Sequence, residues 1–188
     1  MSTVPSRPSS DNSEADCPED TPRIYVACLA AYNSGHLHGA WIDADQDAEC
    51  IHEEIQEMLK ASPEPGAEEW AIHDYEGFGG LGLSEGEDIE RVAELAGLIS
   101  EHGQAFAAYA AHIGEDYASE ESFQDAYCGE WDSELAYAEE LFDECYAHDI
   151  PENLRCYIDY EAFSRDVFIG DCFSVDNPEG GVWVFRNN

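Results

Sequence analysis

One long stretch of this chain has no positive side chain, and this limits what the chain can fold into. Between Arg91 and Arg155 there is no Lys or Arg, whereas sixteen Asp and Glu residues lie there. Acids on a helix usually have a Lys or Arg four residues further on, and that support is missing here. The whole chain carries 43 acidic and 7 basic residues, which gives a formal charge of −36. A small domain usually carries a net charge of about 2–8, so the self-repulsion of this chain opposes folding.

The composition nevertheless predicts a folded core. Hydrophobic residues make up 44% of the chain and aromatic residues 12%, which is too apolar for a disordered acidic tail. Direct binding to nucleic acid or to an anionic membrane is the least expected function, because both would be repelled. Two explanations of the charge remain: a solvated surface like that of halophilic proteins, and a surface that imitates nucleic acid. In the second case, a charge of −36 equals the phosphate charge of roughly 60 Å of duplex DNA.

Hydrophobic periodicity predicts an α+β fold made of an extension and three units. Residues 1–22 are rich in Ser, Pro and acids without periodicity, which is typical of a disordered extension. Residues 23–83 are predicted to form an N-terminal α+β domain. Its elements are a strand over 23–30, a second strand over 36–42 that pairs with it as a hairpin, a helix over 47–60 and a third strand over 68–75.

The remaining chain is predicted to form a central helical domain, residues 84–119, and a C-terminal α+β domain, residues 120–188. Ser84 and Glu87 match a capping box that would start the first central helix, and Gly103 would end it. A second helix is expected over 104–113. The C-terminal elements are a strand at 125–131, a helix at 133–148, an aromatic helix near 157–169 and a hairpin of 172–175 with 182–185.

Four histidines are the candidates for catalysis or metal binding. His36 and His38 stand two residues apart in a predicted strand, so they would point the same way and could share a metal. His52, Glu53 and Glu54 are the residues that could add ligands. No third and fourth ligand occurs at a recognisable spacing, so neither a metal site nor a cofactor is predicted. His73 with Asp74 could form an acid–base pair, but a histidine on a half-buried strand is more often a packed or surface residue.

The strand that holds His73 is predicted to alternate. Trp70, Ile72 and Asp74 would face one way, and Ala71, His73 and Tyr75 the other.

The stretch "GFGGLG" satisfies the GxGxxG pattern of a dinucleotide-binding loop through Gly77, Gly79 and Gly82. No hydrophobic parallel strand is predicted after the next helix, so an inter-unit turn is the favoured interpretation. The seven cysteines include no CxxC pair, and no apolar leader or membrane-length run occurs. These features predict a cytoplasmic protein that has no disulfide bonds.

Three stretches together resemble the ArdA family of antirestriction proteins. They are "RIYVACLAAYNSGHLHGAWID" (23–43), "EEWAIHDYEGF" (68–78), and "IPENLRCYIDYEAFSRDVF" (150–168) with the closing "GGVWVF" (180–185). The resemblance implies a non-catalytic mimic of B-form DNA, carried by mobile genetic elements, that occupies the DNA groove of type I restriction–modification enzymes and blocks restriction. Whether modification is also blocked stays open. The family fold is an elongated, curved row of three small domains that dimerises through the C-terminal domain.

The resemblance and the charge together predict two surfaces. The stretch 155–186 contains more apolar side-chain area than a C-terminal unit of about 65 residues can easily bury, and it is the least negative part of the chain. A dimer interface is therefore expected there, formed by Tyr157, Tyr160, Phe163 and Phe168. The alternatives to a DNA mimic are a generic acidic protein-binding scaffold and a small acidic enzyme that uses His36, His38 and His73. The acids expected to mimic DNA are Asp74, Glu76, Glu87, Asp88, Glu90, Glu94, Glu101, Glu115, Asp116, Glu120, Glu121, Asp125, Glu130, Asp132, Glu134, Glu139, Glu140, Asp143, Glu144 and Asp149.

Overall fold

The computed structural model describes residues 21–187, which contain helices and two antiparallel sheets of three strands each. This mixed content agrees with the predicted α+β class. The extension predicted for residues 1–22 lies outside the described residues except for Thr21 and Pro22. These two belong to the fold, since the carbonyl of Pro22 accepts a hydrogen bond from the N–H of Ala44 at 2.9 Å.

The first sheet consists of β1 (Arg23–Cys28), β2 (Gly39–Asp43) and β3 (Trp70–Glu76) in the order β2-β1-β3. The antiparallel pairing of β1 with β2 confirms the predicted hairpin. The predicted strands at 23–30 and 36–42 were too long, because a short helix, α1 (Leu29–Asn33), follows β1 directly and β2 starts only at Gly39. The Leu and Ala residues at 29–31 favour this short helix. Gly35, with φ 82°, ends the tight turn that follows the helix.

An irregularity in β3 makes the predicted alternation wrong. Tyr25 of β1 pairs with Asp74, but the next residue, Val26, pairs with Ile72, so His73 has no partner opposite it. Such a bulge changes the side to which the following side chains point. As a result Ile72 and its neighbour Ala71 are both buried, whereas His73 and Asp74 are both exposed.

Helix α2 (Ala48–Lys60) packs on the first sheet through the face that its sequence predicts. Its apolar residues recur at intervals of three and four, which places them on one side of a helix. The acids between them are exposed. The buried residues of α2 are Ile51, Ile55, Met58 and Leu59.

The next two helices, α3 (Ile89–His102) and α4 (Gln104–Ile113), meet at Gly103, where φ is 72°. The predicted helix start at Ser84 is wrong. Ser84 Oγ does donate to Glu87 Oε2 at 2.7 Å, but this pair closes a turn in front of the helix. The N-cap is Asp88, whose side chain accepts the N–H of Glu90 at 3.2 Å and satisfies one of the free donors of the first turn.

The C-terminal part begins with a helix that the sequence did not predict. Ser119 caps α5 (Glu120–Ala126) in a reciprocal arrangement with Ser122. The predicted strand at 125–131 therefore starts only at Tyr127. The later elements follow the predicted order, and the sheet has the order β4-β6-β5. They are β4 (Tyr127–Trp131), α6 (Glu134–Cys145), α7 (Tyr160–Gly170), β5 (Cys172–Asp176) and β6 (Val182–Arg186), with 3-10 turns at Glu115–Tyr117, Ala147–Asp149 and Glu152–Tyr157.

Strand β6 connects the two buried clusters of the molecule. Successive side chains of a strand point to opposite faces, and here Trp183 and Phe185 join a large cluster that reaches back through α5, α4, α3 and α2 to the first sheet. Val184 points the other way, into a small cluster with Tyr137 and Val167. The C-terminal sheet is therefore covered by the middle helices on one face and by α6 and α7 on the other. The division into three domains in an elongated row stays a prediction.

Candidate functional site

The acidic side chains predicted to form a binding surface are accessible to solvent. Eighteen of the twenty are exposed, and the other two, Glu87 and Glu115, are half-buried. They lie in strands β3 and β4, in loops and turns, and on α3, α5 and α6. Their accessibility is what a charge-recognising partner would require.

Few of these acids have a cationic partner. Among residues 21–187 the ion pairs between Arg or Lys and a carboxylate join Arg23 to Glu76 at 2.5 Å and Arg91 to Glu94 at 2.8 Å. The next positive side chain along the chain, Arg155, donates instead to the backbone carbonyls of Ala147 and Ile150. The acids between α3 and the end of α6 therefore have no Arg or Lys partner within residues 21–187, and solvent and counterions screen most of their charge.

Helix α6 shows how the fold separates acids from core. Tyr137 and Ala138 are buried, whereas the acids of the helix are exposed. Helical spacing predicts that Leu135, Leu141, Phe142 and Cys145 face the core. The first three are half-buried, but the helix ends at Cys145, whose thiol is exposed. Ser133 starts the helix by accepting the N–H of Ala136 at 3.1 Å. The exposed acids of α6 are Glu134, Glu139, Glu140, Asp143 and Glu144.

Hydrogen bonds influence the ionisation of two groups at this surface. Interaction with the side chain of Glu90, and then with its backbone N–H, lowers the pKa of Asp88, because both favour the charged carboxylate. The hydroxyl of Tyr160 donates to Asp143 at 3.2 Å. Partial burial, and then this hydrogen bond, raise the pKa of Tyr160.

The predicted interface residues differ in their surroundings. Tyr157 is 82% exposed. Tyr160 and Phe163 are half-buried, with their rings 5.3 and 5.1 Å from the ring of Phe142 on α6. Phe168 is also half-buried and packs on the same helix. Only the first of the four therefore offers a largely free apolar side chain.

The apolar excess that motivated the interface is partly enclosed within the chain. Trp183 and Phe185 are covered by the middle helices, because they belong to the large buried cluster. Ile169 belongs to the apolar stretch 155–186 but not to the four expected interface residues, and it is 81% exposed at the end of α7. The apolar surface left open in this part therefore includes Ile169 and Tyr157.

The candidate histidines have separate partners. His36 Nδ1 lies 3.4 Å from Glu64 Oε1, His38 Nε2 lies 2.7 Å from the carbonyl oxygen of Met58, and His73 packs edge-on against Tyr32. His36 and His38 precede β2, so the strand geometry expected for them does not apply. The structure does not bring the three together.

The GxGxxG stretch has a structural role in the described chain. It forms the connection from β3 toward α3, and all strand pairings in residues 21–187 are antiparallel, so there is no parallel βαβ unit around it. Gly77 has φ 80°, and a Cβ there would lie 2.6 Å from the carbonyl oxygen of Thr21. Glycine at this position lets the entering chain pass the end of β3.

Comparison with known families decides what this acidic fold is. The family model described as Antirestriction protein (ArdA) matches residues 24–179, which include the α-helices of the described chain, strands β2 to β5 and all of β1 except Arg23. The chain belongs to the ArdA family. ArdA proteins are non-enzymatic inhibitors, and the family implies antirestriction through interaction with restriction–modification enzymes. No protein with a curated description matches the chain.

None of the ArdA helices within residues 21–187 combines the length and the apolar character that crossing a membrane requires.

Proposed function

We propose that the chain inhibits type I restriction–modification enzymes by occupying their DNA-binding groove as a mimic of B-form DNA. The observation that carries the proposal is the set of eighteen exposed predicted acids, of which only Glu76 and Glu94 form an ion pair with Arg or Lys within residues 21–187. Arg and Lys side chains that hold DNA phosphates also hold carboxylates well, and Arg does so with two parallel hydrogen bonds. A groove built for phosphates would therefore accept this surface.

Loss of DNA binding by a type I methyltransferase is the expected result of adding the chain at low salt. The carboxylates compete for the Lys and Arg groups that bind phosphates, and these pairs are screened as the Debye length falls from about 10 Å toward 3 Å. Inhibition should therefore weaken as salt increases. Fluorescence anisotropy of labelled duplex DNA measures the competition, and digestion assays with one type I and one type II enzyme measure selectivity.

Two controls separate mimicry from charge alone. A basic protein that does not bind DNA should bind the chain much more weakly than the methyltransferase does. Equal binding to both would favour the generic acidic scaffold. Unchanged DNA affinity of the methyltransferase at low salt would contradict the proposed function.

We also propose that the chain forms a homodimer through its C-terminal part. The exposed Tyr157 and Ile169 lie in the region of the chain richest in arginine, with Arg155 and Arg165 nearby in sequence. An interface there would bury apolar surface while keeping most acids of the two copies apart, and aromatic side chains are favoured in interfaces. It would also double the length of the acidic surface.

The double variant Tyr157→Asp/Ile169→Asp should be monomeric at micromolar concentration, because it places charges on the apolar surface without removing an internal contact. Tyr160 and Phe163 are unsuitable for this test, since they pack within the chain. Leu37→Asp, at a side chain that is 90% exposed far away in sequence, is the matched control. Sedimentation equilibrium at moderate salt measures the change. An intact chain that is monomeric, or equal dimerisation of all variants, would exclude this interface.

A further inference from the structure

We propose that Glu101, His102 and Glu120 form a binding site for a zinc ion. Each of the three residues offers one ligand atom, and these atoms lie within 4.8 Å of one another. No other group of three His, Cys, Asp or Glu residues in the described chain, residues 21–187, meets this condition. Glu101 and His102 end α3, and Glu120 begins α5, so the packing of two helices creates the cluster.

His102 is held in place and has an unused nitrogen. Its ring lies against Phe123, with centroids 5.1 Å apart, and against Phe106, with centroids 6.3 Å apart. These contacts limit the rotation of the ring. Its Nε2 atom is buried and has no hydrogen-bond partner in the protein, which is unfavourable for a polar atom. A histidine that is fixed by aromatic packing and lacks a partner is prepared to bind a ligand.

The two carboxylates supply the opposite charge. Both are exposed, and neither forms an ion pair with Arg or Lys within the described chain. Gln124 donates to Glu120 Oε1 at 2.8 Å, which orients that carboxylate and leaves Oε2 free of it. A divalent ion would neutralise the two glutamates.

The mixture of ligands selects the kind of ion. Magnesium and calcium prefer oxygen ligands alone, whereas imidazole together with carboxylates suits zinc. Zinc bonds of about 2.0–2.2 Å place neighbouring ligand atoms roughly 3.4 Å apart. The exposed glutamates would therefore move slightly toward His102, which flexible side chains permit. Three protein ligands leave a fourth position open to water.

Zinc binding would change the acidic surface, because Glu101 and Glu120 are two of the proposed DNA-mimicking acids. A bound ion would cancel their charge and weaken contacts with Lys and Arg groups of a partner. This consequence rests on the proposed function, whereas the zinc site does not.

Isothermal titration of the full chain with zinc chloride, in a large excess of magnesium, tests the site. The excess magnesium saturates nonspecific binding to the exposed carboxylates. Only a site with a nitrogen ligand, which zinc prefers, should then still bind zinc. We expect one zinc ion per chain. Glu120→Gln and His102→Gln should each weaken binding at least about tenfold, since even outer-shell changes at zinc sites cost that much. The matched control, Glu121→Gln, removes the same charge one residue away and should leave zinc affinity unchanged.

Equal zinc affinity in Glu120→Gln and Glu121→Gln, or complete displacement of zinc by magnesium, would overturn the site and indicate binding by charge alone. If His102→Gln unfolds the protein, as circular dichroism would reveal, Glu101→Gln and Glu120→Gln decide the question through exposed side chains. The titration uses no restriction enzyme. Its outcome is therefore independent of whether the chain competes with DNA.

Discussion

Replacing Glu139, Glu140 and Glu144 together by Gln should weaken inhibition of a type I enzyme by about 3- to 150-fold. An exposed charge contact is worth about 0.2–1 kcal/mol, so one substitution changes little, whereas three of them add to about 0.6–3 kcal/mol. Within residues 21–187 none of these three side chains takes part in a hydrogen bond or ion pair, so the fold should persist. The midpoint of the inhibition curve at fixed DNA and salt concentrations measures the loss.

A matched triple variant separates position from charge. Glu49→Gln/Glu53→Gln/Glu57→Gln removes the same three charges from the exposed face of α2, outside the proposed mimicking set. It should reduce inhibition less than the α6 variant does. Equal losses would mean that total charge, and not this surface, determines binding. A single substitution such as Glu139→Gln that abolished inhibition in a folded protein would indicate a discrete site.

Phe185→Ala should lower the free energy of unfolding by about 3–5 kcal/mol, as expected when a buried phenylalanine is truncated. Phe185 is fully buried, with its ring centroid 5.3 Å from that of Tyr109 and 6.2 Å from that of Phe123. These partners belong to α4 and α5, so the substitution removes contacts between the middle helices and the C-terminal sheet. Urea titration followed by circular dichroism measures the effect, because urea does not screen the acidic charges as guanidinium would.

Tyr117→Ala is the control for this measurement. Tyr117 is 77% exposed, so this substitution should change the free energy of unfolding by no more than about 0.5 kcal/mol. Phe185→Leu keeps most of the volume and provides a measurable variant if the alanine substitution prevents folding. A loss below 1 kcal/mol for Phe185→Ala would contradict the continuous core around β6.

Elements with strong local patterns could be predicted from the sequence. The apolar residues of α2 recur at helical spacing over more than two turns, and the structure buries that face. Helix α4 ends at Gly114 and α6 begins after its Ser133 cap, as their sequences indicate. The exposure of the acids followed from the same periodicity. In each case the signal lies within a few residues of the element that it determines.

Features that depend on distant contacts could not be predicted. The bulge at His73 comes from the pairing of β3 with β1, and nothing within β3 marks it. The capping pair of Ser84 and Glu87 forms as expected, but the helix begins later because Asp88 provides a better-placed cap. Helix α5 has only seven residues, too few to establish a period.

The same limit applies to the candidate sites. Residues 101, 102 and 120 have no recognisable ligand spacing, because the packing of α3 against the start of α5 brings them together. The half-burial of Phe163 likewise depends on its contact with Phe142, which is remote in sequence. Family membership, by contrast, could be inferred from short strings that belong to the sequence itself.

The position of β6 in the C-terminal sheet has a consequence for synthesis on the ribosome. This strand lies between β4 and β5, yet it follows both in the chain. While the nascent chain grows, β4 and β5 emerge first and have no strand between them, so their hydrogen-bonding edges and the aromatic side chains around Tyr109 stay open to solvent. Unpaired edges of this kind promote aggregation. The repulsion between nascent chains, each already carrying most of its acids, opposes that aggregation until β6 completes the sheet.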